Sequence, residues 1–491
     1  MGISRRQFVR GAAVSAGFLG LSRHLHAQAR GAAPVQGRGA VPPPPPEIQP
    51  YINEVEGYGP LVADPRRILD LPKGFSYRIL SRTGDAMADG LRVPAAPDGM
   101  AAFPGPNGRV ILVRNHEMTQ DRTFDGAFGL EGELLDKVDV KRLYDAGKGR
   151  PHLGGTTTLV YDPATGRVER QFLSLGGTLR NCAGGATPWN SWISSEETVD
   201  LAGETNEKSH GYNFDVPASA EPKLTQAVPL KAMGRFYHEA VAVEPRTSIV
   251  YQTEDRVDSM IYRFIPSTPR ELARGGKLQV LSIRDRKTFD TRNFAETGAP
   301  RLPVGEPLAV RWIDIDDVDT DRDDLRYRGA ALGGALFARG EGAWFGNGEL
   351  YFVCTNGGLG MRGQIFNYIP SPDEGTAREE ASPGRLQLFL EPNNASLLES
   401  GDNITIAPWG DLIVCEDNAA PAATVVRQNQ ANYLRGVTPH GKVYTLGRNR
   451  YVGVSELAGA CFAPNHPTMF VNIQVPGITL AITGPWSEAR R

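Results

Sequence analysis

The sequence predicts an all-β protein, a β-propeller with loops and short helices inserted between its strands. Three observations predict it. Glycine and proline are abundant, 56 and 37 of 491 residues, and stretches with helical periodicity are scarce. Short runs rich in β-branched and aromatic residues recur between turn signals. A unit of strand, Pro/Gly turn and second strand returns at spacings of one or two blade lengths, which fits a divergent propeller better than a sandwich.

The N-terminal stretch stands apart from that body. Ser4-Arg5-Arg6-Gln7-Phe8-Val9-Arg10 precedes weakly apolar Gly11 to Leu21 and then Ala27-Gln28-Ala29. This ordered succession is that of a twin-arginine export signal over residues 1–29, cleaved after Ala29. The apolar part is too short and too rich in glycine and alanine to span a bilayer stably, so no stable membrane anchor is expected. The signal predicts a periplasmic or secreted protein that engages the twin-arginine export machinery, crosses folded, and can take up a cofactor beforehand. Residues 30–60 follow as a spacer. Its run Pro42 to Pro46 cannot pack a core and reads as a stiff, extended connection. Residues 61–491 are then one domain.

Composition narrows the function. Net charge is −3 with interspersed signs, and no basic stripe calls for nucleic acid. Four cysteines, Cys182, Cys354, Cys415 and Cys461, are too few for a disulfide scaffold in so long a chain. Each lies in a strand-like run, which predicts buried thiols.

Along the body, the repeating unit is first clear at Thr158 to Asp162, the turn Pro163 to Gly166, and Arg167-Val168. It returns at Ala240 to Pro245 with Ile249 to Thr253, and at Gly346-Asn347-Gly348 before Glu349 to Val353. It returns again at Ile404 to Pro408 before Asp411 to Val414, and at Cys461 to Pro464 before Met469 to Val471. The polar segments 118–152 and 283–330 read as inserted loops and short helices.

Acids track this repeat. Asn115-His116-Glu117, Glu196-Glu197, Tyr237-His238-Glu239, Glu254-Asp255, Arg339-Gly340-Glu341, Asp402-Asn403 and Glu416-Asp417 all lie at hairpin ends. Equivalent strand ends of a propeller converge on its axis, so a recurring carboxylate there builds a ring of oxygen ligands. Residues 181–197 add sulfur to that set. Cys182 is followed by Gly184-Gly185, which predicts a tight turn, and an apolar run from Trp189 to Ile193 then leads to Glu196 and Glu197. Neighbouring acids at a strand end point to opposite faces. Soft thiolate beside hard carboxylate suits a mixed site, a transition metal on sulfur and calcium on oxygen. A buried cysteine and a solvated Glu pair ending a strand is the other reading of this segment taken alone.

The order of these motifs resembles the PhoX family of exported bacterial alkaline phosphatases. Asn-Cys-Ala-Gly-Gly-Ala-Thr-Pro-Trp before Glu-Glu, His-Glu-Ala-Val-Ala-Val, Arg-Gly-Glu-Gly, and Phe470-Val471-Asn472-Ile473-Gln474 with Pro476-Gly477 carry the resemblance from about residue 70 onward. The chain departs from the pattern at Ser194-Ser195, and at Gly340 where the family commonly has proline. The resemblance implies a six-bladed, monomeric propeller that uses Fe3+ and Ca2+ to hydrolyse small-molecule phosphate esters, monoesters preferred. It implies Cys182 as iron ligand and Glu196 or Glu197 as a bridge between iron and calcium. Glu239, Asp255, Glu341 and Glu416 or Asp417 would complete the metal set. Arg339 would hold phosphate beside Glu341, its planar fork matching phosphate oxygens as lysine cannot. A structural ion pair with Glu341 is the other reading of Arg339. His116 and His238 read equally as ligands, general acids or structural hydrogen-bonding groups. A calcium-binding propeller without catalysis, or a calcium-dependent esterase or lactonase, is the alternative function; neither has a use for the thiolate of Cys182.

Overall fold

The computed structural model describes residues 51–119, 126–298, 301–418, 431–451 and 455–486. The export signal and most of the spacer lie outside the described residues. Tyr51 onward is tied to the body: Ile52 and Glu54 donate backbone hydrogen bonds to Ser396 and Val443 at 2.9 and 2.8 Å.

The chain folds into an all-β propeller, with a single α-helix, Leu325–Leu332, among the described residues. Its inner strands form a closed succession. Pro97–Pro104 lies beside Asn181–Ala186, which lies beside His238–Val243. Gly340–Gly346, Gly401–Ile406 and Leu457–Phe462 follow, and the last returns to Pro97–Pro104. Each opens an antiparallel hairpin, the partners being Val110–His116, Ser191–Glu196, Val250–Glu254, Glu349–Cys354, Leu412–Glu416 and Thr468–Ile473.

Period-two alternation buries both faces of these sheets. Ala101, Ile111 and Val160 pack with Trp192 and Phe214 of the next sheet. Their sequence neighbours Met100, Leu112 and Leu159 pack on the other side with Cys461, Phe470 and Ala481. The ring closes by joining the two ends of the chain: Ser76–Arg82 pairs with the last strand, Ile478–Thr483. Closure removes the exposed edge that an open array would carry.

One element departs from expectation. Leu308–Asp314 is a strand inside a segment read as loops. It pairs with Gly276–Ile283 on one side and Arg385–Leu390 on the other, joining two hairpin arrays into one nine-stranded sheet. Its run Leu308-Ala309-Val310-Arg311-Trp312 alternates more buried with more exposed positions, a local period-two signal inside the polar segment. All four cysteines are free and buried, as their strand-like surroundings predict.

Candidate metal centre

A repeated local distortion builds the site. The pairing register slips between the first and fourth residues of Pro97–Pro104, Asn181–Ala186, His238–Val243, Gly340–Gly346 and Gly401–Ile406. A bulge at that position re-aims a side chain. The second residues, Asp98, Cys182, Glu239, Glu341 and Asp402, thereby meet where the inner strands converge. Ala458 stands at that position in Leu457–Phe462, whose register slips one residue later.

These side chains form one continuous cluster. Ligand atoms of Asp98, Glu117 and Cys182 lie within 4.8 Å of one another, as do those of Cys182, Glu197 and Glu239, and of Glu239, Glu341 and Asp402. Glu117 and Glu197 each follow the end of a second strand, and a backbone bond holds each turn of chain in place. Glu117, Glu197, Asp255, Thr355, Asp417 and Gln474 donate their amides to the carbonyls of Ala96, Arg180, Tyr237, Arg339, Ser400 and Glu456.

The residue just before each of these faces away. Glu196 accepts backbone bonds from Leu179, Gly211 and Tyr212, and its Oε1 lies 2.6 Å from His210 Nδ1. Glu416 pairs with Arg435 at 2.8 Å inside the body. His116 is held by the Ala95 carbonyl and Thr157, at 2.9 and 2.8 Å. His238 is held by the Gly234 carbonyl at 3.0 Å, and burial lowers its pKa to about 3. Of the adjacent acids Glu196 and Glu197, then, only Glu197 reaches the cluster, and neither histidine is among its grouped ligand atoms.

Two arginines border the cluster. Arg180 Nη2 contacts Glu117 at 2.8 Å and Glu197 at 2.6 Å. Arg339 binds Asp255 with Nε and Nη2, at 2.7 and 2.8 Å, and its Nη2 lies 2.8 Å from Glu341. Asp255 is thus engaged by Arg339. It is not in the grouped ligand atoms, and Asp417 is not either.

The glycine pair after Cys182 does a different job from the expected turn. The turn falls at 187–190, and Cys182 lies within a strand. A Cβ on Gly185 would stand 2.0 Å from the Val241 carbonyl oxygen of the neighbouring inner strand. A Cβ on Gly184 would stand 1.9 Å from the Ile193 carbonyl oxygen. Both glycines permit close backbone approach.

The family model for alkaline phosphatase PhoX matches residues 56–477, most of the chain. The chain belongs to the PhoX alkaline phosphatase family. It is, by that membership, a phosphatase. Among solved structures it is similar to PhoX of Pseudomonas fluorescens in complex with vanadate, a transition state analogue. That likeness has a TM-score of 0.61 and 18% identity, and covers 89% of this chain and 97% of that one. At that identity it is a likeness of fold. A virginiamycin B lyase from Staphylococcus aureus matches at TM-score 0.36, with 10% identity over 83% of this chain and 99% of that one. A gluconolactonase from Xanthomonas campestris matches at TM-score 0.35, with 12% identity over 88% and 100%. The latter two are too loose to bear on function. No curated protein matches the sequence.

PhoX enzymes are metal-dependent, and the residues present fit a group of cations. Both carboxylate oxygens of Glu239, and Oδ1 of Asp98 and of Asp402, are buried without a hydrogen-bond partner. Such oxygens are costly unless something positive meets them. Burial first, then the crowding of Glu341 and Glu197, pushes the Glu239 pKa well up. Burial and the Asp98 and Glu239 charges do the same to the Cys182 thiol. Acids outnumber the two bordering arginines, so the cluster ionises together only around added cations.

The sequence reading missed Asp98, Arg180 and Glu456 altogether. Glu456 also lies against this cluster, its pKa raised by burial and by Asp417, Asp98, Asp402 and Glu117. Asp98 had a legible signal: it stands second in its strand, before Gly99, as Glu341 stands before Gly342.

Proposed function

We propose that this protein is a six-bladed propeller phosphatase that works outside the cytoplasm and hydrolyses phosphate monoesters with bound iron and calcium. The six inner strands with their repeated bulge and backbone bond support the blade count. The observation that carries the reading is the convergence of the Cys182 thiol with carboxylates whose buried oxygens lack partners. Cys182 would take Fe3+, with Glu197 reaching both metals. Asp98, Glu117, Glu239, Glu341 and Asp402 supply hard oxygen for Ca2+ and the remaining iron positions. Such cations supply the positive charge that a phosphomonoester dianion needs around its equatorial oxygens.

The chain's own residues do the rest. Arg339 presents a guanidinium whose orientation is set by Asp255, leaving donors for phosphate oxygens in a geometry fixed before substrate arrives. Arg180, braced between Glu117 and Glu197, is a second cation at the same rim. Gln474 donates to Asp98 at 2.9 Å and to Glu117 at 2.8 Å, orienting both.

Elemental analysis of the purified protein, paired with p-nitrophenyl phosphate hydrolysis, tests the reading. Iron and calcium should co-purify, and Cys182→Ala should lose iron and phosphatase activity together. A protein that hydrolyses the ester fully without iron, or binds calcium but hydrolyses no phosphate ester, would overturn it.

A further inference from the structure

Outside the central cluster, Asp145, His152 and His210 meet in a second buried group, their ligand atoms within 4.8 Å of one another. Asp145 and His152 come from the irregular stretch before strand Gly154–Asp162, and His210 from the loop before Asn213–Pro217. Asp145 and His210 are 0% exposed and His152 3%.

The spacing has a meaning. Asp145 Oδ2 lies 3.2 Å from His210 Nε2 and 3.5 Å from His152 Nε2. The first is a hydrogen bond at the long end of the N–H···O range, longer than the ~2.7–2.9 Å usual for a charge-assisted one, and the second lies beyond that range. Two ligands about 2.0–2.1 Å from one tetrahedral zinc ion stand about 3.4 Å apart. His210 is also already oriented, because its Nδ1 is 2.6 Å from Glu196 Oε1. A carboxylate on the outer nitrogen of an imidazole turns the other nitrogen's lone pair toward a metal. Here that lone pair would face the Asp145 carboxylate and His152, an arrangement that asks for a cation between them. Asp145 is itself positioned by the amides of Gly147 and Lys208, at 2.7 and 2.9 Å. His152 also lines a surface pocket of about 350 Å³ with Lys148, Arg150 and Thr205.

We propose that Asp145, His152 and His210 bind one divalent transition-metal ion of the zinc class, distinct from the central cluster, with water as fourth ligand and Glu196 supporting His210. The ion would staple the stretch 145–152 and the 197–212 loop together, directly behind Glu196, whose neighbour Glu197 faces the central cluster.

Zinc alone, offered to the chelator-stripped full chain, tests this. In the Cys182→Ala protein, whose central cluster has no sulfur donor, zinc X-ray absorption should show imidazole scattering from about one bound equivalent per chain. Adding His152→Ala should remove that equivalent and its imidazole signature. Zinc without imidazole scattering, or zinc content indifferent to His152→Ala, overturns the proposal and leaves a protonated His210 held between Glu196 and Asp145. If the double variant does not fold, the scattering from the Cys182→Ala protein, or from wild type, decides alone.

Discussion

Asp255 grips Arg339 through both carboxylate oxygens, at 2.7 Å to Nε and 2.8 Å to Nη2. The arginine sits at φ 52, a left-handed conformation that non-glycine residues seldom adopt. Its side chain keeps 29% of its surface exposed, so it is aimed but not sealed.

If that aimed guanidinium meets phosphate, Arg339→Ala should lower kcat/KM by about two to three orders of magnitude, the loss typical of one transition-state donor. Iron and calcium content should stay near wild type, and Arg339→Lys should recover only part of the loss. Glu341→Ala should lose metal and activity together. Intact catalysis with a lowered Tm in Arg339→Ala would make the arginine a structural partner of Asp255 and Glu341.

Glu196 and Glu197 should behave oppositely. Glu197→Gln is expected to cut activity and bound metal with little change in fold. Glu196→Gln removes the charge that faces His210 and three backbone amides, so it should destabilise by about 1–3 kcal/mol while the central metals remain. Denaturant unfolding beside elemental analysis checks both. Equal metal loss in the two variants would contradict the division of roles.

Chelating calcium should abolish activity and lower Tm, and returning calcium should restore both. A ligand held at 100 times its Kd stabilises the folded state by about 2.7 kcal/mol. An unchanged melting curve after chelation would rule out a calcium-filled cluster.

Asp323 supplies a pH test away from the centre. Burial raises its pKa, but the charges of Arg326 and Arg256 outweigh burial and leave it below the ordinary 3.8. A depressed carboxylate adds stability that is fully present above the unfolded value and lost as pH falls through the folded one. The Tm gap between wild type and Asp323→Asn should therefore close as pH drops below about 3.8. A gap independent of pH would show that the ion pairs do not govern it.

Replacing Arg5 and Arg6 together with lysine should hold the protein in the cytoplasm as an uncleaved precursor, measured by fractionation. Normal export of the double variant would remove the twin-arginine assignment.

The sequence by itself determined the all-β class, the hairpin positions and the presence of a thiol among recurring acids. Those features are local: turn residues, period-two runs and short motifs. It also marked Cys182, the pair Glu196-Glu197, Glu239 and Glu341, the acids because they recur at the ends of the repeated hairpins. Which acid of an adjacent pair faces the axis was decided only by tertiary structure. Glu196 and Glu197 are alike in type and neighbours in sequence, and the strand's alternation sends one to His210 and the other to the centre. The bulges that aim Asp98 and Asp402 inward depend on pairing register, which involves a second strand. The Asp145, His152 and His210 group is more distant still. Asp145 and His210 stand 65 positions apart in the chain, across loop and strand, and no spacing motif joins the three. They meet because the irregular stretch before Gly154 and the loop before Asn213 pack against one another, a contact that no local pattern records.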